Sequence, residues 1–258
     1  MTRAPALFSL ADHVAVVTGG SRGLGLEIAR GLGEAGARVV IGARRAEWLD
    51  RASADLEADG IEARAHVCDL TDADQVGRLI DGAVSAFGRL DVLVNNAGVS
   101  WGAPIEDMPV DRWRQVIETN VGGAFLATRA AIPLMKARGY GKIITVASVM
   151  GVVGFRAEII DAPAYTASKG ALIALTRDLA VKYAPFGIRV NAIAPGFFRT
   201  RLTEGVLARS GEAIAAATPL GRVGEPADLK GAAVFLAAPA SDYVTGQVLG
   251  VDGGYSAA

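Results

Sequence analysis

The feature that most restricts this fold is a regular alternation of short β-branched runs with longer stretches of helical period. Val14–Val17, Arg38–Gly42, Glu62–Val67, Leu90–Val94, Lys142–Val146, Ile188–Ile193 and Gln247–Leu249 read as strands. Between them, Leu24–Glu34, Ala46–Ala58, Asp72–Phe87, Asp111–Lys136, Pro163–Tyr183 and Pro226–Ala237 read as helices. The punctuation agrees: Thr71 or Asp72 caps the third helix, Gly88 closes it, and Gly36 and Gly60 stop the two before it. Strands separated by helices of this length make βαβ units. Right-handed crossovers gather such units into one parallel sheet with helices on both faces. The strands are apolar on both sides, as a doubly covered sheet requires. The expected class is α/β with a doubly wound parallel sheet.

The 258 residues, 51% of them hydrophobic, suit a single domain over residues 1–258 with its own core. The charges nearly cancel, at −1 overall, which speaks against a nucleic-acid surface or a polybasic membrane anchor. No apolar run approaches ~18 residues, and Met1–Leu10 lacks the apolar stretch of a signal peptide. The one cysteine, Cys68, fits a reducing compartment and reads as a small buried hydrophobe. A cytoplasmic protein is expected. His13 and His66 have no partners at metal-ligand spacing, so no metal site is expected.

Open α/β sheets bind ligands at the carboxyl ends of their strands, near the point where strand order reverses. The loops after each strand are therefore where chemistry should sit. The first strand runs into Thr18-Gly19-Gly20-Ser21-Arg22-Gly23-Leu24-Gly25 and then at once into a helix. Gly19 makes the tight turn, Gly23 admits a pyrophosphate, and Gly25 lets the helix pack on the sheet. Free N–H groups and the positive end of the helix dipole face the anion. An ordinary strand-to-helix turn is the bland alternative. The spacing is GxxxGxG, unlike the GxGxxG of the common dinucleotide fingerprint.

The second strand ends Ala43-Arg44-Arg45, with no acid for a ribose 2′-hydroxyl. Arg44 lies 21 residues after Gly23, where a cation suits the 2′-phosphate of NADP(H), as does Arg22 in the loop. Alternatively, Arg44 and Arg45 simply end a strand in water. Asp69 ends the third strand beside the place for adenine. Asn95-Asn96-Ala97-Gly98 ends the fourth, where small residues permit close approach of the backbone.

Tyr165 and Lys169 are four residues apart in one helix and share a face. A free phenol has a pKa near 10, too high for a base at neutral pH, and a nearby ammonium lowers it. Tyr165 could then exchange a proton with a carbonyl or alcohol oxygen. Ser148 ends the fifth strand, where its hydroxyl can polarise that oxygen. Asn120 interrupts an apolar helix and could hold a water joined to Lys169.

With these residues assembled, the chain resembles the short-chain dehydrogenase/reductase family. The resemblance rests on Thr18-Gly19-x3-Gly23-x-Gly25, Asn95-Asn96-Ala97-Gly98, Asn120, Ser148, Tyr165-x3-Lys169 and Pro195-Gly196, and it extends to Val251-Asp252-Gly253-Gly254. It implies a Rossmann-like seven-stranded sheet and metal-free hydride transfer. It also implies a catalytic set of Asn120, Ser148, Tyr165 and Lys169, with assembly as a homotetramer or dimer. By position, Ser21, Leu24, Leu70, Phe198 and Thr200 would join Gly19, Arg22, Arg44, Asp69 and Asn96 around the cofactor. Pro195-Gly196 would turn the chain beneath the nicotinamide. Tyr165 follows Ser148 by 17 residues, a longer spacing than is usual in that family. The extra length falls in Gly154–Asp161.

Phe155, Ile159, Ile160, Trp101 and Phe197 could line an apolar pocket, or the aromatic residues could be core. Residues 197–219, weakly patterned from Arg199 onward, could form a lid. Arg156 and Arg201 could bind an acidic substrate or stand in water. Three readings stay open: a ketoreductase for 3-oxoacyl or similar small-molecule carbonyls, a polyol or sugar-acid dehydrogenase, and a non-catalytic NADP-binding sensor. Val99-Ser100-Trp101-Gly102 and Ala194–Phe198 lean slightly to the first.

Overall fold

The computed structural model describes residues 3–258. Seven parallel strands form one sheet in the order β3-β2-β1-β4-β5-β6-β7. They are β1 (Val14–Thr18), β2 (Arg38–Ala43), β3 (Ala63–Val67), β4 (Val92–Asn95), β5 (Gly141–Val146), β6 (Ile188–Pro195) and β7 (Val248–Val251). The helices are α1 (Ala4–Leu7), α2 (Gly23–Glu34), α3 (Ala46–Ala58), α4 (Ala73–Phe87), α5 (Val110–Ile117), α6 (Gly123–Arg138), α7 (Pro163–Tyr183), α8 (Glu204–Ala217) and α9 (Lys230–Ala237). This is the expected doubly wound, Rossmann-like α/β domain. No described helix is long and apolar enough to cross a membrane.

Alternate strand residues feed two separate cores. Ala15, Val17, Val39 and Ile41 pack with α2, α3 and α9, while Val14, Val16, Val40, Leu93 and Ile143 pack with α4, α6 and α7. Period-2 alternation points successive side chains to opposite faces, so a doubly covered strand must be apolar throughout. All five residues of β1 are buried. The chain winds outward from β1 through β2 to β3, then returns to β4 on the other side of β1. Crossovers on the two sides of β1 therefore lie on opposite faces, and a crevice opens between the carboxyl ends of β1 and β4.

Three sequence expectations need correction. The helix expected over Asp111–Lys136 is two helices joined by a wide turn at Glu118–Gly122, in which the Gly123 N–H reaches back to the Glu118 carbonyl. The apolar period runs through such a turn unbroken, so periodicity alone cannot reveal it. The helix expected from Pro226 begins as a tighter 3-10 turn, Pro226–Leu229, before α9. The weakly patterned stretch after Arg199 contains the four-turn α8. That helix buries Ile214 alone, so it has no apolar stripe for periodicity to detect. The Asp72 cap and the left-handed Gly88 stop stand as read.

The crevice is held open by hydrogen bonds across the switch point. The buried Thr18 Oγ1 donates to the Val94 carbonyl at 3.2 Å and accepts the Asn96 N–H at 3.0 Å. Asn96 Nδ2 in turn donates to the Thr18 carbonyl at 2.9 Å. Thr18→Val keeps the shape but strands the Asn96 N–H. Denaturant unfolding should register a loss of about 1–3 kcal/mol; a loss under a few tenths would mean the hydroxyl is not holding the two strands.

Candidate active site

The glycine turn after β1 has the backbone that its sequence demands. Gly19 has φ 66°, and a Cβ there would lie 2.8 Å from the Ala97 Cα. A Cβ on Gly25 would collide with Asn96 Nδ2 and the Gly19 carbonyl. The turn can thus lie flat against the Asn96-Ala97 backbone only with glycine at both places. The result is a cleft of about 580 Å³ along the carboxyl edge of the sheet, running from Trp48 to Tyr165. Every residue that the sequence assigned to the cofactor, from Gly19 through Arg44, Asp69 and Asn96 to Thr200, borders it.

One end of the cleft is cationic. The guanidinium carbons of Arg22, Arg45 and Arg201 lie 3.7, 4.3 and 5.7 Å from the centre of the Trp48 ring. Arg44 borders the same cleft. Burial and then the charges of Arg201, Arg45 and Arg44 push the Arg22 guanidinium below its usual pKa. Among the described residues only Arg45 of the four has a carboxylate partner, Glu47 at 3.9 Å. Sequence reading found Arg22 and Arg44 here. It missed Trp48, left Arg45 aside and offered Arg201 to the substrate. The i, i+3 step from Arg45 to Trp48 was the available signal, but Arg201 arrives only through tertiary structure.

At the other end, Ser148, Tyr165 and Lys169 come together. Ser148 is fixed by the Met150 N–H, which donates to its Oγ at 3.1 Å as the chain turns after β5. That turn, Val149–Gly151, sits directly on α7. Lys169 is buried at 3% exposure, and its ammonium donates to the Val146 carbonyl at 2.7 Å. Nζ lies 5.4 Å from the centre of the Tyr165 ring. Burial pushes the Tyr165 phenol up to about 12, while its hydrogen bond with Ser148 pulls the other way. Burial also pushes the Lys169 ammonium down to about 8. Desolvation is the largest influence on the phenol and holds it above its ordinary value, against the expectation of a lowered one.

Asn120 departs from its expected role. It is 1% exposed and does not border the cleft. Its Oδ1 accepts the Val99 N–H at 2.8 Å, and Nδ2 donates to the Val99 carbonyl and to Ser168 Oγ, each at 3.0 Å. Ser168 Oγ donates to the Tyr165 carbonyl at 2.7 Å. The side chain thus braces the cleft wall and the first turn of α7.

Beside Ser148 and Tyr165 opens a second pocket of about 510 Å³. Val149, Met150, Ile159, Ile160 and Phe197 give it an apolar wall, while Ser100, Glu158, Asp161, Thr203 and Arg209 are its polar lining. Ile159, Ile160 and Phe197 are where the sequence put them. Trp101 is instead half-exposed under the Arg112 guanidinium, and Arg156 lies outside the pocket.

A family model described as enoyl-(acyl carrier protein) reductase matches residues 19–256. The chain belongs to the short-chain dehydrogenase/reductase family. It is 43% identical over 255 residues to gluconate 5-dehydrogenase of Gluconobacter oxydans, covering 97% of both chains. A 3-oxoacyl-[acyl-carrier-protein] reductase of rhamnolipid biosynthesis in Pseudomonas aeruginosa is 41% identical, with 96% of this chain and 98% of that one covered. A gluconate 5-dehydrogenase from Burkholderia cenocepacia, solved with NADP and tartrate, superposes with a TM-score of 0.93 at 38% identity, covering 99% of this chain and 100% of that one. The protein is accordingly an oxidoreductase of the alcohol/carbonyl class.

The segment between Ser148 and Tyr165 packs against the C-terminal turn. Phe155 stacks on Tyr255 from the C-terminal turn, with centres 5.3 Å apart and planes 17° apart. Both meet Phe197 edge-on, at 5.6 and 5.9 Å. Asp252 pins that turn by accepting from Gly254 N at 3.0 Å and Ser256 N at 3.0 Å. The chain end therefore seats the pocket wall, a role no local pattern around Tyr255 announces. Tyr255→Ala should cost about 1–3 kcal/mol, from two aromatic contacts. It should also speed amide exchange across 154–161, with Tyr255→Phe near wild type. Unchanged exchange in the alanine variant would separate the tail from the loop.

Proposed function

We propose that this enzyme is NADP(H)-dependent and interconverts a ketone and a secondary alcohol, with Tyr165 as the proton donor and acceptor. The carrying observation is that one continuous cleft joins buried Ser148 and Lys169 and the half-buried Tyr165 to an arginine group with almost no acidic partner. The cleft fits the cofactor on two counts. Its glycine turn lies flat against the Asn96-Ala97 backbone, where a side chain at Gly19 or Gly25 would collide, and its far end offers guanidinium groups whose mutual repulsion a phosphate dianion relieves. The NADP of the Burkholderia relative supports the same choice.

When bound, NADPH would supply the hydride. The chain's residues would do the rest. The Tyr165 phenol, held protonated by its burial, gives its proton to the carbonyl oxygen in reduction. Ser148 donates a hydrogen bond to the same oxygen and fixes its position. Lys169, aligned by the Val146 carbonyl, supplies the positive charge that eases loss of the phenolic proton. Asn120 and Ser168 position Tyr165 through its own carbonyl. The segment 197–219, with α8, serves as the substrate lid. The same reading has the enzyme acting as a cytoplasmic homotetramer or dimer.

The substrate class follows from the second pocket. Five polar or charged side chains among its lining favour a small ketone carrying hydroxyl groups over a long acyl chain. The 3-oxoacyl alternative draws on the apolar wall of Val149, Met150 and Phe197. Assays with NADPH on 5-ketogluconate and a 3-oxoacyl thioester, and with NADP+ on gluconate and polyols, discriminate the two. Faster turnover of the thioester would overturn the preference. Tyr165→Phe should lower kcat by about 100- to 10,000-fold while NADPH still binds; substantial residual activity would remove Tyr165 from the chemistry.

Ketone reduction should also lose rate as pH rises through about 8, because Lys169 gives up its charge there while the phenol, near 12, keeps its proton. Lys169→Arg retains its charge throughout and should carry the alkaline limb upward. An unmoved limb would assign it to another group.

A further inference from the structure

We propose that Arg201 is a phosphate ligand contributed by the substrate lid, so that a nucleotide bearing a 2′-phosphate draws the lid onto the cleft and one lacking it does not. The inference rests on the NADP(H) reading above and adds a mechanical link between the two pockets.

Arg22 belongs to the glycine turn and Arg45 to the end of β2, both in the nucleotide half of the molecule. Arg201 comes from the far half, after β6, yet reaches the same tryptophan. Like charges gather there around the Trp48 ring, whose π-face attracts each guanidinium. Among the described residues Arg201 has no carboxylate partner, although Arg199, two residues earlier, is paired with Glu225 at 2.8 Å. The gathering is therefore incomplete as a charge arrangement and complete as a receptor for a dianion.

What Arg201 is attached to gives the contact its consequence. Phe198 bridges to Gly224, and Arg199 N donates to the Gly224 carbonyl at 2.9 Å, so the root of the segment is strapped down. The next turn is stiff. Thr203 Oγ1 accepts the Thr200 N–H at 3.1 Å and donates to the Phe198 carbonyl. The Leu207 N–H reaches the Thr203 carbonyl at 2.8 Å, carrying that turn directly into α8. Beyond the turn the hold is weak, because α8 buries Ile214 alone. Segments with few buried apolar contacts open at low free energy. Leu202 and Thr203 border both the cleft and the substrate pocket. An anion that fixes Arg201 thus fixes a stiff turn, and with it the near end of a loosely held helix over the substrate.

The test needs no substrate. Amide hydrogen exchange of the full-length protein is followed alone, with saturating adenosine 2′,5′-bisphosphate, and with saturating 5′-AMP. The bisphosphate should slow exchange over residues 200–217 as well as at the glycine turn, and 5′-AMP should slow it at the glycine turn only. Arg201→Gln, a change at an exposed side chain, should bind the bisphosphate about two- to fivefold more weakly, as befits an exposed ion pair, and should lose the protection over 200–217 while keeping it over 19–25. Equal protection of 200–217 by both nucleotides, or its survival in Arg201→Gln, would overturn the proposal. If the bisphosphate binds wild type no tighter than 5′-AMP, the NADP(H) reading fails and the link with it. Tighter binding with an unprotected lid overturns the link alone.

Discussion

The carboxyl ends of β1 and β4 part because the chain departs from β1 in both directions across the sheet, and crossover handedness sends the two sets of helices to opposite faces. The candidate site sits on the rim of that gap. Thr18 and Asn96 set its width through buried hydrogen bonds, and Gly19 and Gly25 are the residues that let the backbone fit inside it. A wider or looser gap would separate the arginines of one rim from the tyrosine of the other, and one dinucleotide could not span both.

Electrostatics divides the cleft into two ends with opposite habits. At the Trp48 end, guanidinium groups stay charged whatever their surroundings, so crowding them creates a standing demand for an anion. At the Tyr165 end, burial favours neutral forms of both the phenol and the amine. On the proposed reading, the second end works on protons because its groups are poised to lose or gain charge, and the first binds because its groups are not. Desolvation sets the second behaviour, while the first rests on the high intrinsic basicity of guanidinium.

Much of this was legible in the chain itself. The β1 run Val14-Ala15-Val16-Val17 is apolar at every position, and a strand of that kind has to be covered on both faces. The glycine turn, the Asn96 loop and the Tyr165/Lys169 pair each follow a strand end or open a helix, so position along the chain implied position in the site. The partners of Asn120, the place of Arg201 beside Trp48 and the stacking of Tyr255 were not legible. Asn120 looked like an odd polar residue in a helix, yet its partners Val99 and Ser168 are 21 and 48 residues away. α8 escaped because a helix lying on the surface with one buried side chain carries no period to read.

The sequence by itself determined the sheet, the glycine-lined phosphate turn and the phenol–amine pair, since each depends on contacts within a few residues or on a repeating polarity pattern. Tertiary structure alone decided which arginines share Trp48, what Asn120 holds, and that the C-terminal turn seats the wall of the second pocket. Those outcomes depend on where distant segments meet. A guanidinium, an amide or an aromatic ring carries no mark in its own neighbourhood of the partner that the fold will bring to it.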